Sequence, residues 1–392
     1  MPKPTLFEAR VGAMSAAGFI INGFYLPFFP VWLDLVGMGA AQISVILSMA
    51  MIARIVTAPF IMAFTDRSAE RVHVLVVLSL LSVACAALFI VTRSFAALVA
   101  VSFVLGVVSG CQMPITDSVA LSGVRRFGSD YARMRIWGSI SFLVANLAGG
   151  LLLQRLGAGI MPGLLLASFA VTALVAFFMP RLGPPREKAP LPGAVVQTAG
   201  RAFLKPAFVL FMAAASLVQA GHALAYGFSS IYWRSIGIGE TTIGLLWAIG
   251  VLAEILLFYR FKRSFSAVRP VTMLLIGAAM AVLRWTAFPL VEPAGFGVVG
   301  FLAVQAMHAF SFGLTYLAMQ QKTAEAIDEH ELGAAQGAYV FLSGLTLAAG
   351  LYFSGPLYAA FNVHGFWAMA AVAAAGLALA IATLRAEARE TR

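Results

Sequence analysis

Charged residues are scarce in this sequence: aspartate, glutamate, lysine and arginine together make up 11% of its 392 residues. Soluble domains carry about 25% charged residues, so this composition excludes an ordinary soluble globular protein. In their place, 61% of the residues are hydrophobic and the mean hydropathy is +0.93. We therefore predict an integral membrane protein.

Cysteine is almost absent, with only Cys85 and Cys111, and both lie in predicted helices. A disulfide framework or a cysteine metal cluster is therefore not expected. The alternating segments of a membrane barrel are missing too, whereas apolar runs of about 20 residues predict spanning helices. The stretch 1–10 is short and polar, and the first apolar run continues as a full span, so we expect no cleavable signal peptide.

Breaks in hydropathy predict twelve transmembrane helices. They are placed at 11–35, 41–63, 72–92, 95–121, 132–155, 160–180, 206–233, 240–260, 269–289, 295–320, 332–358 and 364–384. The one long polar connection lies between the sixth and seventh helices. We predict an N-terminal six-helix half at 1–180, a cytoplasmic linker at 181–205 and a C-terminal half at 206–392.

Lysine and arginine predict the orientation. With the N-terminus inside, 21 of these 26 residues fall in cytoplasmic segments, 3 on the opposite side and 2 within spans. This bias follows the positive-inside rule and predicts an inner-membrane protein with both termini cytoplasmic. It also accounts for the net charge of +10, so no nucleic-acid partner is expected.

An internal repeat occurs at an offset of 200 residues. GMGAAQI at 37–43 matches GIGETTI at 237–243, and ARI at 53–55 matches AEI at 253–255. Arg54 and Glu254 then occupy equivalent places. Chance matching of two apolar, glycine-rich stretches is the alternative, but two repeated six-helix halves indicate a transporter with a central cavity.

Polar and aromatic side chains recur at helical spacing on three predicted helices. The residues that we assign to a substrate-binding wall on this basis are Asn22, Tyr25 and Phe29 on the first helix, His222 and Tyr226 on the seventh, and Gln305 and Phe312 on the tenth. The pattern is typical of a cavity for a ring-bearing or hydroxylated solute. Packing between helices is the alternative interpretation.

In the fourth helix, GVVSG predicts close packing and Pro114 a bend.

Several motifs resemble the major facilitator superfamily, in the branch of lactose permease and the phenylpropionate permeases. They are YLPFFPVWL at 25–33, DRSAER at 66–71, RIWGSISF at 135–142 and LRW at 283–285. The resemblance covers essentially the whole chain and implies an all-α fold of twelve transmembrane helices in two pseudo-symmetric halves. It also implies that Asp66, Arg67 and Arg71, which their position predicts to be exposed, latch the cytoplasmic ends of neighbouring helices.

The same resemblance implies a substrate-binding pair. Asp117 and Arg135 are 18 residues apart, the spacing at which lactose permease places its substrate-binding acid and arginine. Two departures put galactoside transport in doubt. Phe142 stands where that permease has a stacking tryptophan, and Ser311 follows His308 where it has a proton-handling glutamate.

Ionisable residues inside spans are functional by default, because each costs about 2.5–3.5 kcal/mol to insert. Burial disfavours a charged carboxylate and a nearby guanidinium favours it, so Glu254 is predicted to exchange a proton, with Arg284, His308 and Arg54 as its partners. A static ion pair, or snorkelling toward Arg260, is the alternative. For Asp117 and Arg135 a fixed pair between helices is the alternative.

These patterns together predict a proton-coupled symporter that works by alternating access. The aromatic stripes, the arginines and the phenylpropionate-like motifs favour a small aromatic carboxylate such as 3-phenylpropionate; a sugar or nucleoside symporter, or a proton-independent carrier, is the alternative. The sequence lacks the ring of charges that a channel would use, and its scattered histidines disfavour an enzyme. We expect no cofactor or metal, and a monomer whose partners are substrate, protons and the bilayer.

Overall fold

The computed structural model describes residues 3–183, 204–265, 267–327 and 332–390, and within these ranges the chain is helical with no β-strand. Eleven stretches are long and apolar enough to cross a membrane. The last of them, Ala334–Arg389, contains two helices separated by the short 3-10 turn Asn362–Gly365. Twelve spans result, which confirms the predicted fold class.

The first six spans form the N-terminal part of the chain. Their bounds are α1 Phe7–Leu35, α2 Ala40–Arg67, α3 Arg71–Val91, α4 Phe95–Ser109 continued by Gln112–Phe127, α5 Tyr131–Leu156, and α6 Met161–Phe177. α4 is interrupted three residues before Pro114, because a proline nitrogen has no hydrogen to donate to the carbonyl four residues earlier. The predicted bend is therefore present.

The last six spans contain two further interruptions. Their bounds are α7 Pro206–Ala220 continued by Ala223–Ser235, α8 Glu240–Ser264, α9 Pro270–Ala287, α10 Gly297–Ala306 continued by a π-helical turn Ala309–Leu314 and by Thr315–Ala326, α11 Leu332–Phe361, and α12 Phe366–Glu390. Several helices extend a few residues beyond the hydropathy limits. Charged residues end an apolar run without ending the backbone hydrogen bonds.

The helices form two compact units. The first comprises Met1–Lys188 and Trp233–Leu245, and the second comprises Ala189–Tyr232 and Leu246–Arg392. The predicted linker at 181–205 lies mostly outside the described residues, so the division at that segment stays a prediction.

Close helix contacts in the first unit depend on glycine. A Cβ atom at Gly106 would lie 2.3 Å from the carbonyl oxygen of Ala50 on α2, which confirms the packing predicted from GVVSG. The turn between α7 and α8 belongs to this unit and packs on α5. There, a Cβ atom at Gly150 would lie 2.5 Å from the carbonyl oxygen of Glu240.

The internal repeat has one backbone geometry at both copies. Gly37 and Gly237 have φ of +87° and +85°. Each amide donates to the carbonyl three residues earlier, at 3.0 Å in both copies, and the next amide donates five residues back, at 3.0 and 2.9 Å. This is the Schellman motif, in which a left-handed glycine closes a helix.

Candidate functional site

Arg284 is the centre of a polar cluster inside the second unit. It lies one turn before the end of α9, and only 2% of its surface is exposed. Its Nη2 donates to Oε1 of Gln305 at 2.7 Å, and its Nη1 donates to Oγ of Ser311 at 3.1 Å. The guanidinium also stacks on Trp285, with Cζ 4.3 Å from the ring centroid. A buried cation is thus held by neutral acceptors on α10.

Glu254 and His308 join this cluster. Nε2 of His308 lies 3.6 Å from Oε2 of Glu254, and its Nδ1 lies 3.1 Å from Nη1 of Arg284. The side chains of Glu254 and His308 are 19% and 15% exposed, so both are partly shielded from solvent. The structure therefore brings together three of the residues predicted for proton coupling, from α8, α9 and α10.

His222 occupies the break between the two segments of α7 and is 1% exposed. Its Nε2 lies 3.2 Å from Oγ of Ser311, and its ring centroid lies 5.4 Å from that of His308. Ser311 belongs to the π-helical turn of α10, a distortion that is frequent at functional sites. The two helix irregularities place both histidines and the serine around one guanidinium.

Aromatic rings border the cluster. Tyr226 lies 6.1 Å from Trp247 and is stacked with it, and Phe312 is stacked on His308 at 4.9 Å. Tyr226 and Phe312 are partly exposed, whereas Trp247 is 9% exposed and donates from Nε1 to Oγ of Ser230 at 2.9 Å. This face can stack a planar solute beside a titratable pair.

Gln305 was predicted to bind substrate, but it is only 6% exposed, and its Oε1 accepts a hydrogen bond from Arg284 instead. Its Nε2 donates to the carbonyl oxygen of Leu246 on α8 at 3.0 Å. Among the described residues no group of three or more histidine, cysteine, aspartate or glutamate side chains could hold a metal ion. The arrangement can hold and release a proton and can stack an aromatic ring.

Asp117 and Arg135 lie in the first unit, on α4 and α5. Oδ1 of Asp117 accepts a hydrogen bond from Oη of Tyr131 at 3.2 Å. The guanidinium of Arg135 lies over the ring of Phe19, with Cζ 4.1 Å from the centroid, and attracts Asp117 electrostatically. Each partner has its own contact, and the direct ion pair is not formed between these two described residues.

Of the three α1 residues predicted to line the substrate-binding wall, one is fully buried in the helix packing. Phe29 is 0% exposed and contacts the rings of Trp32 and Phe89 at 5.6 and 5.2 Å. Tyr25 stacks on Phe29 at 4.6 Å, and Asn22 donates to the carbonyl oxygen of Gly18 at 3.2 Å; both are partly exposed. Phe142 on α5 is 8% exposed.

Arg54 lies midway along α2 with an exposed side chain, and its aliphatic part passes close to Gly110 of α4. Glu254 and Arg54 belong to different compact units. The charge relation that the repeat suggested between them stays a prediction.

The loop between α2 and α3 corrects one expectation. Asp66 and Arg67 are exposed as predicted, but Arg71 is only 4% exposed. Its guanidinium turns inward because two serine hydroxyls of α4 are within reach, at 3.2 Å for Ser118 and 2.8 Å for Ser122. The charge can be buried because the side chain of Arg71 is long enough to reach hydrogen-bond acceptors on the neighbouring helix.

Sequence reasoning did not assign Glu70, Tyr131 or Ser311. Glu70 accepts from the amides of Val72 at 3.1 Å and Gly183 at 2.8 Å, so it caps α3 and holds the chain where it leaves α6. The position of Glu70 immediately before a predicted helix could have identified it as a capping residue. The position of Ser311, three residues after His308, could likewise have indicated that it lies beside His308.

Comparisons with known proteins agree with this architecture. The model of the family described as "MFS_1 like family" matches residues 19–369. A protein of Escherichia coli (strain K12), described as a probable 3-phenylpropionic acid transporter, is 28% identical over 356 residues, which are 91% of this chain and 92% of that protein. The maltose permease of Geobacillus stearothermophilus is 25% identical over 281 residues, which are 71% and 70% of the two chains.

Among solved structures, the nucleoside transporter NupG has a TM-score of 0.81 at 14% identity and covers 97% of this chain and 99% of its own. The POT family transporter PepTSo has a TM-score of 0.75 at 12% identity, covering 98% of both chains. At such identities these likenesses show the fold alone. The family match extends over most of the sequence, and the chain therefore belongs to the MFS_1-like family and is a multi-pass membrane transporter of the major facilitator type, not an enzyme.

Proposed function

We propose that this transporter is a proton-coupled symporter that accumulates a small aromatic carboxylate by alternating access. The observation that carries the proposal is the contact of Glu254 with His308, at 3.6 Å, inside the membrane-spanning part of the second unit. The arginine beside them, Arg284, is almost fully buried. A carboxylate, an imidazole and a guanidinium placed together inside a span are expensive, and such groups typically mark ion and proton pathways.

The coupling rests on a change of environment at Glu254. In this arrangement the ionised carboxylate lies 3.6 Å from an imidazole nitrogen, with a guanidinium behind it, and a cation nearby favours the charged form. A conformation that moved Glu254 away from them would leave it in an apolar span, where the protonated form is favoured. A rocking motion between these two arrangements would therefore bind and release one proton in each cycle.

The substrate class is supported by three features. The rings of Tyr226 and Phe312, both partly exposed, border the cluster, and Trp247 is stacked with Tyr226. Arg135 stacks its face on Phe19, which leaves the edge of the guanidinium available for a carboxylate. The E. coli relative is described as a transporter of 3-phenylpropionic acid. Relatives described as maltose and nucleoside transporters make a sugar or nucleoside the second candidate, since aromatic rings stack on those solutes too.

The proposal also includes orientation and gating. The distribution of 21 basic residues against 3 supports cytoplasmic termini and an inner-membrane location. Asp66 and Arg67 are exposed beside the buried Arg71. We assign this loop to the cytoplasmic latch, where charged side chains can pair in one conformation and separate in the other.

The test is uptake by proteoliposomes that contain the purified protein. With radiolabelled 3-phenylpropionate, we expect saturable uptake that exceeds equilibrium only when the lumen is more alkaline than the medium, and that a protonophore abolishes. Maltose and uridine serve as competitors. Accumulation of either competitor in place of 3-phenylpropionate would reject the substrate class, and uptake indifferent to the gradient would reject proton coupling.

The matched variants are Glu254→Gln and Glu292→Gln. Glu292 is exposed in the loop between α9 and α10, so its substitution removes the same charge outside the cluster. We expect Glu254→Gln to abolish gradient-driven accumulation while substrate exchange between the two sides continues, because exchange requires no net proton release. Full accumulation by Glu254→Gln would contradict the assigned role, and the Glu292→Gln protein should behave as wild type.

A further inference from the structure

The cluster around Arg284 is a chain of hydrogen bonds whose directions are all determined by the donors present. It begins at the carbonyl oxygens of Val218 and Gln219, each 3.2 Å from Nδ1 of His222. A carbonyl oxygen only accepts, so Nδ1 of His222 carries the hydrogen. In a neutral ring, Nε2 of His222 is then an acceptor, and it faces Oγ of Ser311 at 3.2 Å.

Ser311 receives one hydrogen bond and gives one. Arginine has no acceptor, so Nη1 of Arg284 donates to Oγ of Ser311 at 3.1 Å. The serine hydroxyl hydrogen is then directed to Nε2 of His222. Both neighbours of Ser311 thus require the same orientation of its hydroxyl, and the serine bridges α7 to α9.

The second branch leads to the carboxylate. The other hydrogen of Nη1 of Arg284 points to Nδ1 of His308 at 3.1 Å. Nδ1 of His308 is therefore an acceptor, and the neutral ring carries its hydrogen on Nε2. That Nε2 faces Oε2 of Glu254 at 3.6 Å, so the chain ends with a donor pointing at Glu254. An ionised carboxylate attracts this donor more strongly than a protonated one, because it carries the full negative charge.

We infer that Ser311 and His222 are positioning residues for proton coupling, because they fix Arg284 and thereby hold the Nε2 hydrogen of His308 toward Glu254. This inference rests on the proposed function. The charged and titratable groups around the chain are Glu254 on α8, Arg284 on α9, His308 on α10, and His222 and Tyr226 on α7. Neither Ser311 nor His222 touches Glu254, so both act through their neighbours.

Removing the serine hydroxyl changes the pH at which the carrier is loaded. In Ser311→Ala, Nη1 of Arg284 loses one of its two acceptors and is held less firmly against Nδ1 of His308, so the tautomer that offers Glu254 the Nε2 hydrogen is less favoured. The ionised form of Glu254 is then less favoured, so a proton is held to higher pH. We expect the midpoint of the pH profile of uptake to rise by about 0.5 to 1 unit, as the loss of one hydrogen bond allows.

Three further variants separate positioning from packing. Ser311→Thr keeps the hydroxyl and should restore the wild-type profile. His222→Phe should raise the midpoint as Ser311→Ala does, and His222→Gln should not, because its amide oxygen can accept from Ser311 where Nε2 did. The control is Ser354→Ala, a fully buried serine of α11 whose hydroxyl donates within its own helix at 2.6 Å; its profile should stay unchanged.

An infrared titration tests the inference without transport. In detergent-purified protein, the carbonyl band of protonated Glu254 is the band that Glu254→Gln removes, and its midpoint should rise in Ser311→Ala and His222→Phe. A midpoint that stays in place or falls in both overturns the inference, whatever the uptake assay gives. If that midpoint rises while wild-type uptake ignores the pH gradient, the positioning role holds and the proposed proton coupling fails.

Discussion

The two compact units use their intramembrane charges in different ways. In the second unit, Glu254, His308 and Arg284 form one connected cluster. In the first unit, Asp117 binds Tyr131, and Arg135 stacks on Phe19. The two copies of the sequence repeat nevertheless share a backbone motif, with the same left-handed glycine at 37 and 237. The repeat therefore preserves the backbone and not the chemistry, and our proposal places proton handling in the second unit.

The largest expected effect separates the two arginines that lie midway along or near the end of spans, the buried Arg284 and the exposed Arg54. Arg284→Met removes a guanidinium that holds three neutral acceptors. We expect uptake to fall by at least about 100-fold, because the loss of only one charged hydrogen bond, about 1.5–3 kcal/mol, already approaches the ~2.7 kcal/mol that 100-fold represents. Arg54→Met should cost about tenfold or less, because Arg54 is exposed and has no comparable set of acceptors among the described residues. Initial rates in proteoliposomes, at equal protein content by immunoblot, measure both. Equal losses would mean that the two units share the coupling chemistry.

A second effect concerns Arg135 of the first unit, which we propose to bind the substrate carboxylate. Arg135→Lys keeps the charge but loses the planar fork that binds a carboxylate through two hydrogen bonds. We expect KM for 3-phenylpropionate to rise about tenfold with little change in maximal rate, as the loss of one such bond implies. Concentration series under a fixed pH gradient give both constants. An unchanged KM would remove Arg135 from the substrate site.

A smaller effect distinguishes the two intramembrane acids. Asp117→Asn retains an oxygen that can accept from Tyr131, so the carrier should fold and still accumulate substrate against the gradient. Affinity should change by about threefold or less, the equivalent of a weak electrostatic contact with Arg135. The accumulation ratio at steady state is the measurement. Its loss, in parallel with Glu254→Gln, would assign proton binding to both units.

The smallest effect tests the shared backbone. Gly37→Ala and Gly237→Ala each place a Cβ atom in a left-handed conformation, although nothing lies within 4 Å of it. Each should destabilise the protein by about 1 kcal/mol, and the two should lower the thermal unfolding midpoint in detergent equally. A markedly larger loss at one position would show that the two copies of the repeat are not structurally equivalent.

Prediction from sequence succeeded where the signal was local. Hydropathy placed every span of the described chain to within a few residues, with one interruption predicted from Pro114. The π-helical turn of α10 and the break at His222 were not predicted, because neither has a proline or a charge to mark it. Arg71 was wrongly expected to be exposed, because its position in a loop does not reveal that serine hydroxyls of another helix lie within reach.

The sequence by itself determined the membrane class, the twelve spans and the internal repeat, because apolar length and spacing are properties of a single segment. It also selected Glu254, Arg284 and His308, because a charge or an imidazole inside an apolar run is costly wherever it points. Only the tertiary structure decided which of these groups meet. Glu254 and His308 are 54 residues apart in the chain, and their contact depends on how α8 and α10 pack. The role that we propose for Ser311 also depends on the tertiary structure, because its hydroxyl acts only through the donor on one side and the acceptor on the other.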